Sequence, residues 1–123
     1  MKIYRKKIQR KALYREYVST LNSLLKLSER ELDVLAILIS IDLHWPEYDN
    51  KNVIDERSRR RIMAETLINK TNLSKYISKL KRRKILITTD NLNWIVNYDF
   101  IISPLQNIKE SLELIFLLEI ENE

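Results

Sequence analysis

The sequence predicts a mainly α-helical α+β domain with one small β-hairpin. Apolar residues recur at helical spacing through most of the chain, and a capping box opens one of the helices. β-Branched and aromatic residues cluster on both sides of an Asp/Asn-rich turn near residue 90. The chain has 123 residues, of which 45% are hydrophobic, and this is enough for one folded core.

Two helices are predicted in the first third of the chain. The first spans residues 12–26, and the second begins after a capping box in which the Ser28 hydroxyl accepts from the Glu31 amide. The second helix runs to about Leu43 and is apolar all round, so we expect it at the centre of the domain or in a subunit interface. The apolar side of the first helix comprises Leu13, Tyr17, Leu21, Leu24 and Leu25.

A loop is predicted over residues 44–52, because Pro46 ends the second helix and Asp and Asn residues supply turn chemistry. A third helix follows, from near Asp55 or Ser58 to near Ile68. Its inner side is predicted to comprise Met63, Ala64 and Leu67.

A fourth helix is predicted over residues 71–84, with Leu73, Ile77 and Leu80 as its inner stripe. Asn69 is expected to take a left-handed conformation in the turn before it, because Asn tolerates that conformation best after Gly. Two short helices joined by such a tight turn form a helix-turn-helix, whose second helix enters the major groove of DNA.

A β-hairpin is predicted from residues 85–89 and 94–102, and Pro104, capped by Ser103, is predicted to open a last helix with two apolar sides. We therefore divide the chain into three parts: a basic arm and N-terminal helix over 1–27, a central domain over 28–102, and a C-terminal helix over 103–123 that is predicted to mediate oligomerisation.

The composition excludes several classes of enzyme. The chain has no cysteine and no glycine, which excludes disulfides, Cys-bound zinc, iron–sulfur clusters and Gly-rich phosphate loops. His44 is the only histidine, and no acidic and basic pair stands out by its spacing. We predict that the protein is not an enzyme and has no catalytic residues, metal or cofactor. The absence of a membrane-spanning stretch or secretory signal favours a cytoplasmic location.

Basic residues are concentrated in two blocks. Residues 1–26 carry a net charge of +7 and residues 57–84 carry +10, whereas residues 27–56 carry −6. The moderate net charge of +5 hides this pattern, which is typical of a nucleic-acid-binding protein.

The outer side of the predicted fourth helix carries hydroxyls, amides and cations, and no carboxylate occurs from Lys70 to Lys84. Such side chains bond to base edges and phosphates. The alternative, a solvated helix face, usually mixes Glu among its lysines. Four arginines at the start of the third helix oppose its dipole, which favours phosphate contact. The predicted DNA-binding residues are Arg57, Arg59, Arg60, Arg61, Thr71, Asn72, Ser74, Lys75, Ser78, Lys79 and Arg82.

Residues 28–102 resemble a winged helix-turn-helix domain. The segment LSERELDVLAIL is similar to the first helix of MarR-type regulators, and TNLSKYISKLKRRKILI is similar to their recognition helix and the strand that follows. This resemblance implies a dimer that binds double-stranded DNA and is held together by its terminal helices. The same segment also resembles the N-terminal domain of phage replication initiators.

The sequence departs from the family pattern at two places. Lys84 stands where the family usually has glycine, and the hairpin tip from Thr88 to Asn93 contains no Arg or Lys for the minor groove. A basic N-terminal arm is a candidate for that role. Its cations are Lys2, Arg5, Lys6, Lys7, Arg10 and Lys11.

These observations favour a sequence-specific, double-stranded-DNA-binding transcriptional regulator. It is expected to be a homodimer formed through the N-terminal helix, the first helix of the central domain and the C-terminal helix, in the cytoplasm of a bacterium or a phage-infected cell. The alternative is a winged-helix structural or interaction protein of a phage virion or of a replication-initiation assembly.

Overall fold

The computed structural model describes residues 12–106, and its elements follow the predicted order. The mainly α-helical architecture with a small antiparallel hairpin is confirmed, and it is compatible with a winged helix-turn-helix. The basic arm and the helix predicted beyond Gln106 lie outside the described residues. The elements are α1 (Leu13–Leu25), α2 (Glu29–Leu43), α3 (Glu56–Thr66), α4 (Lys70–Arg82), β1 (Leu86–Thr88) and β2 (Trp94–Val96).

Helix α2 lies at the centre of the domain. The predicted capping box is present: Ser28 Oγ accepts from the Glu31 amide at 3.2 Å, and the Glu31 carboxylate accepts from the Ser28 amide at 2.8 Å. α1, α3, α4 and β2 all pack against α2, and its core residues Val34, Leu35 and Leu38 are fully buried. Both apolar sides of α2 are therefore covered by other elements of the described residues, which is the central position that the sequence predicts as one of two alternatives.

Helix α1 packs on α2 through one side, which differs from the predicted side at three positions: Val18 is buried in it, Leu13 is only half-buried, and Leu24 is exposed. Tyr17, Val18, Leu21 and Leu25 are buried, whereas Leu24 is 57% exposed. The Tyr17 hydroxyl donates to the Ile101 carbonyl at 2.9 Å, and burial raises the pKa of Tyr17 to about 12, so this hydroxyl stays protonated.

Within residues 12–106, no helix combines the length and apolar character needed to cross a bilayer.

The predicted inner side of α3 is wrong at Ala64 and Leu67, which are exposed, whereas Met63 is half-buried against the core as predicted. The buried residues are Ser58, Ile62 and Thr66, and Leu67 is 88% exposed. The Thr66 hydroxyl donates to the Ile62 carbonyl at 2.7 Å, which satisfies a polar group that the sequence pattern assigns to the surface.

The left-handed residue in the turn between α3 and α4 is Leu67, with φ 59°, and not Asn69. Leu67 caps the end of α3 by donating its amide to the Met63 carbonyl at 2.9 Å, and this directs its side chain away from the core. Asn69 is extended and caps the start of α4, where its side chain accepts from the Asn72 amide at 2.8 Å. Lys84 is also left-handed, with φ 59°, where the winged-helix pattern usually has glycine.

Replacing Leu67 by glycine is expected to raise the free energy of unfolding by about 0.5–1 kcal/mol, because glycine adopts a left-handed conformation without the steric cost of a Cβ atom. Urea unfolding measures the change. Leu67→Ala is the control: it also removes an exposed apolar side chain but keeps the Cβ atom. Equal stability of the two variants would show that the backbone conformation of Leu67 carries no such cost.

The hairpin is shorter than predicted. Its register pairs Leu86 with Val96 and Thr88 with Trp94, and residues 98–102 form a π-helical turn instead of continuing the strand. The Asn97 side chain starts this turn by accepting from the Phe100 amide at 3.2 Å. A single 3₁₀ turn, Ser103–Leu105, follows, and Gln106 is extended. The prediction that an α-helix begins at Pro104 is therefore wrong.

Candidate nucleic-acid interface

The outer face of α4 points into solvent. It comprises Thr71, Lys75, Ser78 and Arg82, all of which are exposed. With Lys70 and Ser74, these side chains line one shallow, open trough. Among residues 12–106, no carboxylate pairs with Lys70, Lys75 or Arg82. The predicted outward orientation of this face is therefore confirmed.

Local sequence explains why α4 presents this face. Leu73, Ile77 and Leu80 are buried at helical spacing, which turns the opposite side outward. Asn69 caps the first turn without adding a charge, and the first turn contains no acidic residue. The trough thus keeps its positive charge along the whole length of the helix.

Lys79 differs from the other cations of α4. Its Nζ lies 2.8 Å from Glu31 Oε1, and the Glu31 side chain is only 5% exposed. Burial alone would raise the pKa of Glu31, but hydrogen bonds from Lys79 and Ser28 and the charge of Lys79 outweigh it and hold this pKa below its ordinary value. Lys79 therefore joins α4 to the start of α2, a structural role that separates it from the DNA-binding set predicted for it.

The four arginines of α3 differ in their contacts: two of them make none within residues 12–106, and two bond to neighbouring groups. Arg57 and Arg60 are exposed and form no ion pair with residues 12–106. Arg61 pairs with Glu65 one turn later, at 3.5 Å. Arg59 is half-buried, and its Nε donates to the Ile54 carbonyl at 2.8 Å. Of the four arginines, only Arg57 and Arg60 are both exposed and without an ion-pair partner within residues 12–106.

The flanking polar residues of α4 also differ in exposure. Asn72 is exposed at the first turn, next to Thr71, and its side chain forms no hydrogen bond within residues 12–106. Ser74 is half-buried at the edge of the trough. Asn72 is therefore free to meet a base edge, whereas Ser74 is only partly accessible.

Three cations of α4 and its C-cap were not singled out from the sequence: Lys70 in the first turn, Lys81 in the last turn, and Arg83 just after it. Lys81 Nζ lies 4.4 Å from the centre of the Trp94 ring. Arg83 donates to the carbonyls of Leu25, the last residue of α1, and of Lys26, which follows it. Lys70 lines the trough. No local sequence signal identifies the first two contacts, because each joins segments that are distant along the chain.

No protein-family model, curated protein or solved structure matches the chain. The chemistry of the site is therefore inferred from its geometry. Within residues 12–106, no three His, Cys, Asp or Glu side chains are grouped as ligands for a metal ion.

The hairpin tip is unsuited to the minor groove. Asn91 Nδ2 lies 3.4 Å from the Asp49 carbonyl, so the tip sits beside a turn that carries acidic residues. Leu92 at the tip is 80% exposed, and the tip contains no cation. The tip residues therefore offer no cation to a phosphate.

Proposed function

We propose that the protein binds double-stranded DNA and that α4 enters the major groove. The observation that carries this proposal is the exposed outer face of α4, which combines cations and hydroxyls and has no carboxylate. The exposed amide of Asn72 lies next to this face. A major groove about 12 Å wide accepts one α-helix. The preceding helix supplies two further exposed cations, Arg57 and Arg60, which have no ion-pair partner within residues 12–106.

The side chains divide into two roles. Asn72, Lys75 and Ser78 are the base-edge candidates, because they lie on the exposed face and carry groups that bond to bases. Arg57, Arg60 and Arg82 are the phosphate candidates, since guanidinium groups form bidentate bonds with phosphate oxygens. This division makes the protein sequence-specific, as a transcriptional regulator must be.

A binding titration tests the proposal. Selection of bound sites from random duplexes yields the preferred sequence, and its affinity and that of a random duplex are then measured across salt concentration. We expect affinity to fall steeply with salt. Arg60→Ala should weaken both duplexes alike and flatten the salt dependence, whereas Lys75→Ala should mainly reduce discrimination between them.

The outcomes separate the competing functions. Equal effects of both substitutions on both duplexes would contradict base recognition. No binding to any duplex at low salt would contradict the proposal and favour a structural or interaction protein. The selected sites also report on assembly, because a dimer selects two half-sites about one helical turn apart.

The proposed homodimer draws on the terminal segments, since α2 is buried within the chain. This part of the proposal comes from the resemblance to MarR-type regulators.

A further inference from the structure

Two cations from different helices lie near Trp94, the residue of β2 next to the hairpin turn. Lys81 belongs to the last turn of α4, and Arg59 to the first turn of α3. Lys81 Nζ lies 4.4 Å from the centre of the Trp94 ring, and Arg59 Nε donates to the Ile54 carbonyl at 2.8 Å. Val53 links the two anchors, because its amide donates to the Trp94 carbonyl at 2.9 Å.

Both anchors are neutral, so neither cation is compensated where it is held. Within residues 12–106, Lys81 and Arg59 form no ion pair. The two acids at the start of α3 form no ion pair with either cation within residues 12–106: the Asp55 side chain caps α3 by accepting from the Ser58 amide, and Glu56 is exposed. Burial and the charge of Arg59 lower the pKa of Lys81. The fold thus holds two like charges together at a cost that an anion would remove.

We propose that Lys81 and Arg59 together bind one backbone phosphate of duplex DNA beside Trp94. This inference rests on the proposed function and adds a second contact point to it. The Trp94 ring orients the Lys81 ammonium group, and the Ile54 carbonyl orients the Arg59 guanidinium group, so little side-chain freedom is lost on binding. Two charge-assisted hydrogen bonds then meet one phosphate.

The position of the site fits a DNA strand beside the major groove. Ser74, Ser78 and Lys81 lie four and then three residues apart, so they form one stripe along α4 from the trough to the hairpin. A helix lying in the groove with this stripe at its edge brings the flanking backbone to Lys81. The hairpin then contacts DNA beside Trp94.

Trp94 provides a direct readout of the site. In a Trp45→Phe background, Trp94 is the only tryptophan, and its emission is followed during titration with duplex DNA. We expect the duplex to change this emission. Lys81→Met keeps the length of the side chain and removes the charge, so it should abolish most of the emission change and lower the affinity for every duplex about three- to tenfold.

The double variant Lys81→Met, Arg59→Met should lower the slope of log affinity against log salt by about 0.9, the value for one phosphate. Lys84→Met is the matched control, because Lys84 is an exposed cation near the same helix end and its side chain forms no hydrogen bond, ion pair or ring contact within residues 12–106. It should leave both the emission change and the slope as in the parent protein.

The outcomes distinguish this inference from the proposed function. If the parent protein binds duplex but the double variant keeps its slope and its emission change, the phosphate site is wrong and DNA binding by α4 stands. If inorganic phosphate at millimolar concentration produces the full emission change and duplex adds none, the site does not serve DNA. If the parent protein binds no duplex at low salt, the proposed function itself fails.

Discussion

Replacing both Lys75 and Arg82 by glutamate is expected to reduce affinity for duplex DNA at least about a hundredfold, because two contacts of about 1–3 kcal/mol each are replaced by repulsion. Both side chains are exposed on the outer face of α4 and have no ion-pair partner within residues 12–106. The free energy of unfolding should therefore change by less than about 0.5 kcal/mol. Fluorescence anisotropy of a labelled duplex and urea unfolding measure the two quantities.

The matched control is the double variant Lys26→Glu, Lys84→Glu, which changes the net charge by the same amount at exposed positions outside the trough. It should weaken binding only a few-fold, through the general field of the protein. A loss as large as that of the first variant would show that binding follows net charge, and the assignment of α4 as the groove-binding helix would be contradicted.

The sequence predicts α2 and α4 well because their determinants are local. The capping box depends on residues three positions apart, Ser28 and Glu31, and the inner stripe of α4 follows from helical spacing alone. The same periodicity places Lys75 and Arg82 on the opposite, exposed side. The central part of the candidate interface can therefore be predicted from the sequence.

Helix α3 shows where hydrophobic patterning fails. Its buried side includes Ser58 and Thr66, whose polar groups make the stripe inconspicuous in the sequence. Leu67 is apolar but becomes exposed, because the helix ends one residue earlier and Leu67 adopts the left-handed capping conformation. A choice between Leu67 and Asn69 for that conformation depends on the position of the helix end, which the pattern does not fix to one residue.

Long-range contacts decide which cations are available, and these contacts leave no local signal. Lys79 and Glu31 are 48 residues apart in sequence, yet they form an internal ion pair. Lys81 and Arg59 become a pair only when the hairpin packs beside α4 and brings Trp94 under the Lys81 ammonium group. Composition alone makes all eleven basic residues of the block from 57 to 84 look equivalent.

Asp42→Ala is expected to lower the free energy of unfolding by about 3 kcal/mol, because it leaves the buried Val96 amide without its acceptor and the Lys51 ammonium group without its carboxylate. Asp42 Oδ2 accepts from the Val96 amide at 3.0 Å, and Oδ1 accepts from Lys51 Nζ at 3.1 Å. The side chains of Asp42 and Lys51 are only 5% and 14% exposed. A single carboxylate on α2 thus holds both β2 and the loop before α3, and urea unfolding measures its contribution.

Two further variants separate the amide contact from the charge. Asp42→Asn keeps an acceptor for Val96 and should cost about half as much, since it removes only the charge opposite Lys51. The double variant Asp42→Ala, Lys51→Met should recover part of the loss, because no buried ammonium group remains uncompensated. Equal stability of Asp42→Ala and Asp42→Asn would show that the Val96 contact contributes nothing.

Because Trp94 and Val96 lie on the same strand, loosening β2 also moves Trp94 away from Lys81. Asp42→Ala should therefore diminish the duplex-induced change in Trp94 emission while the outer face of α4 continues to bind.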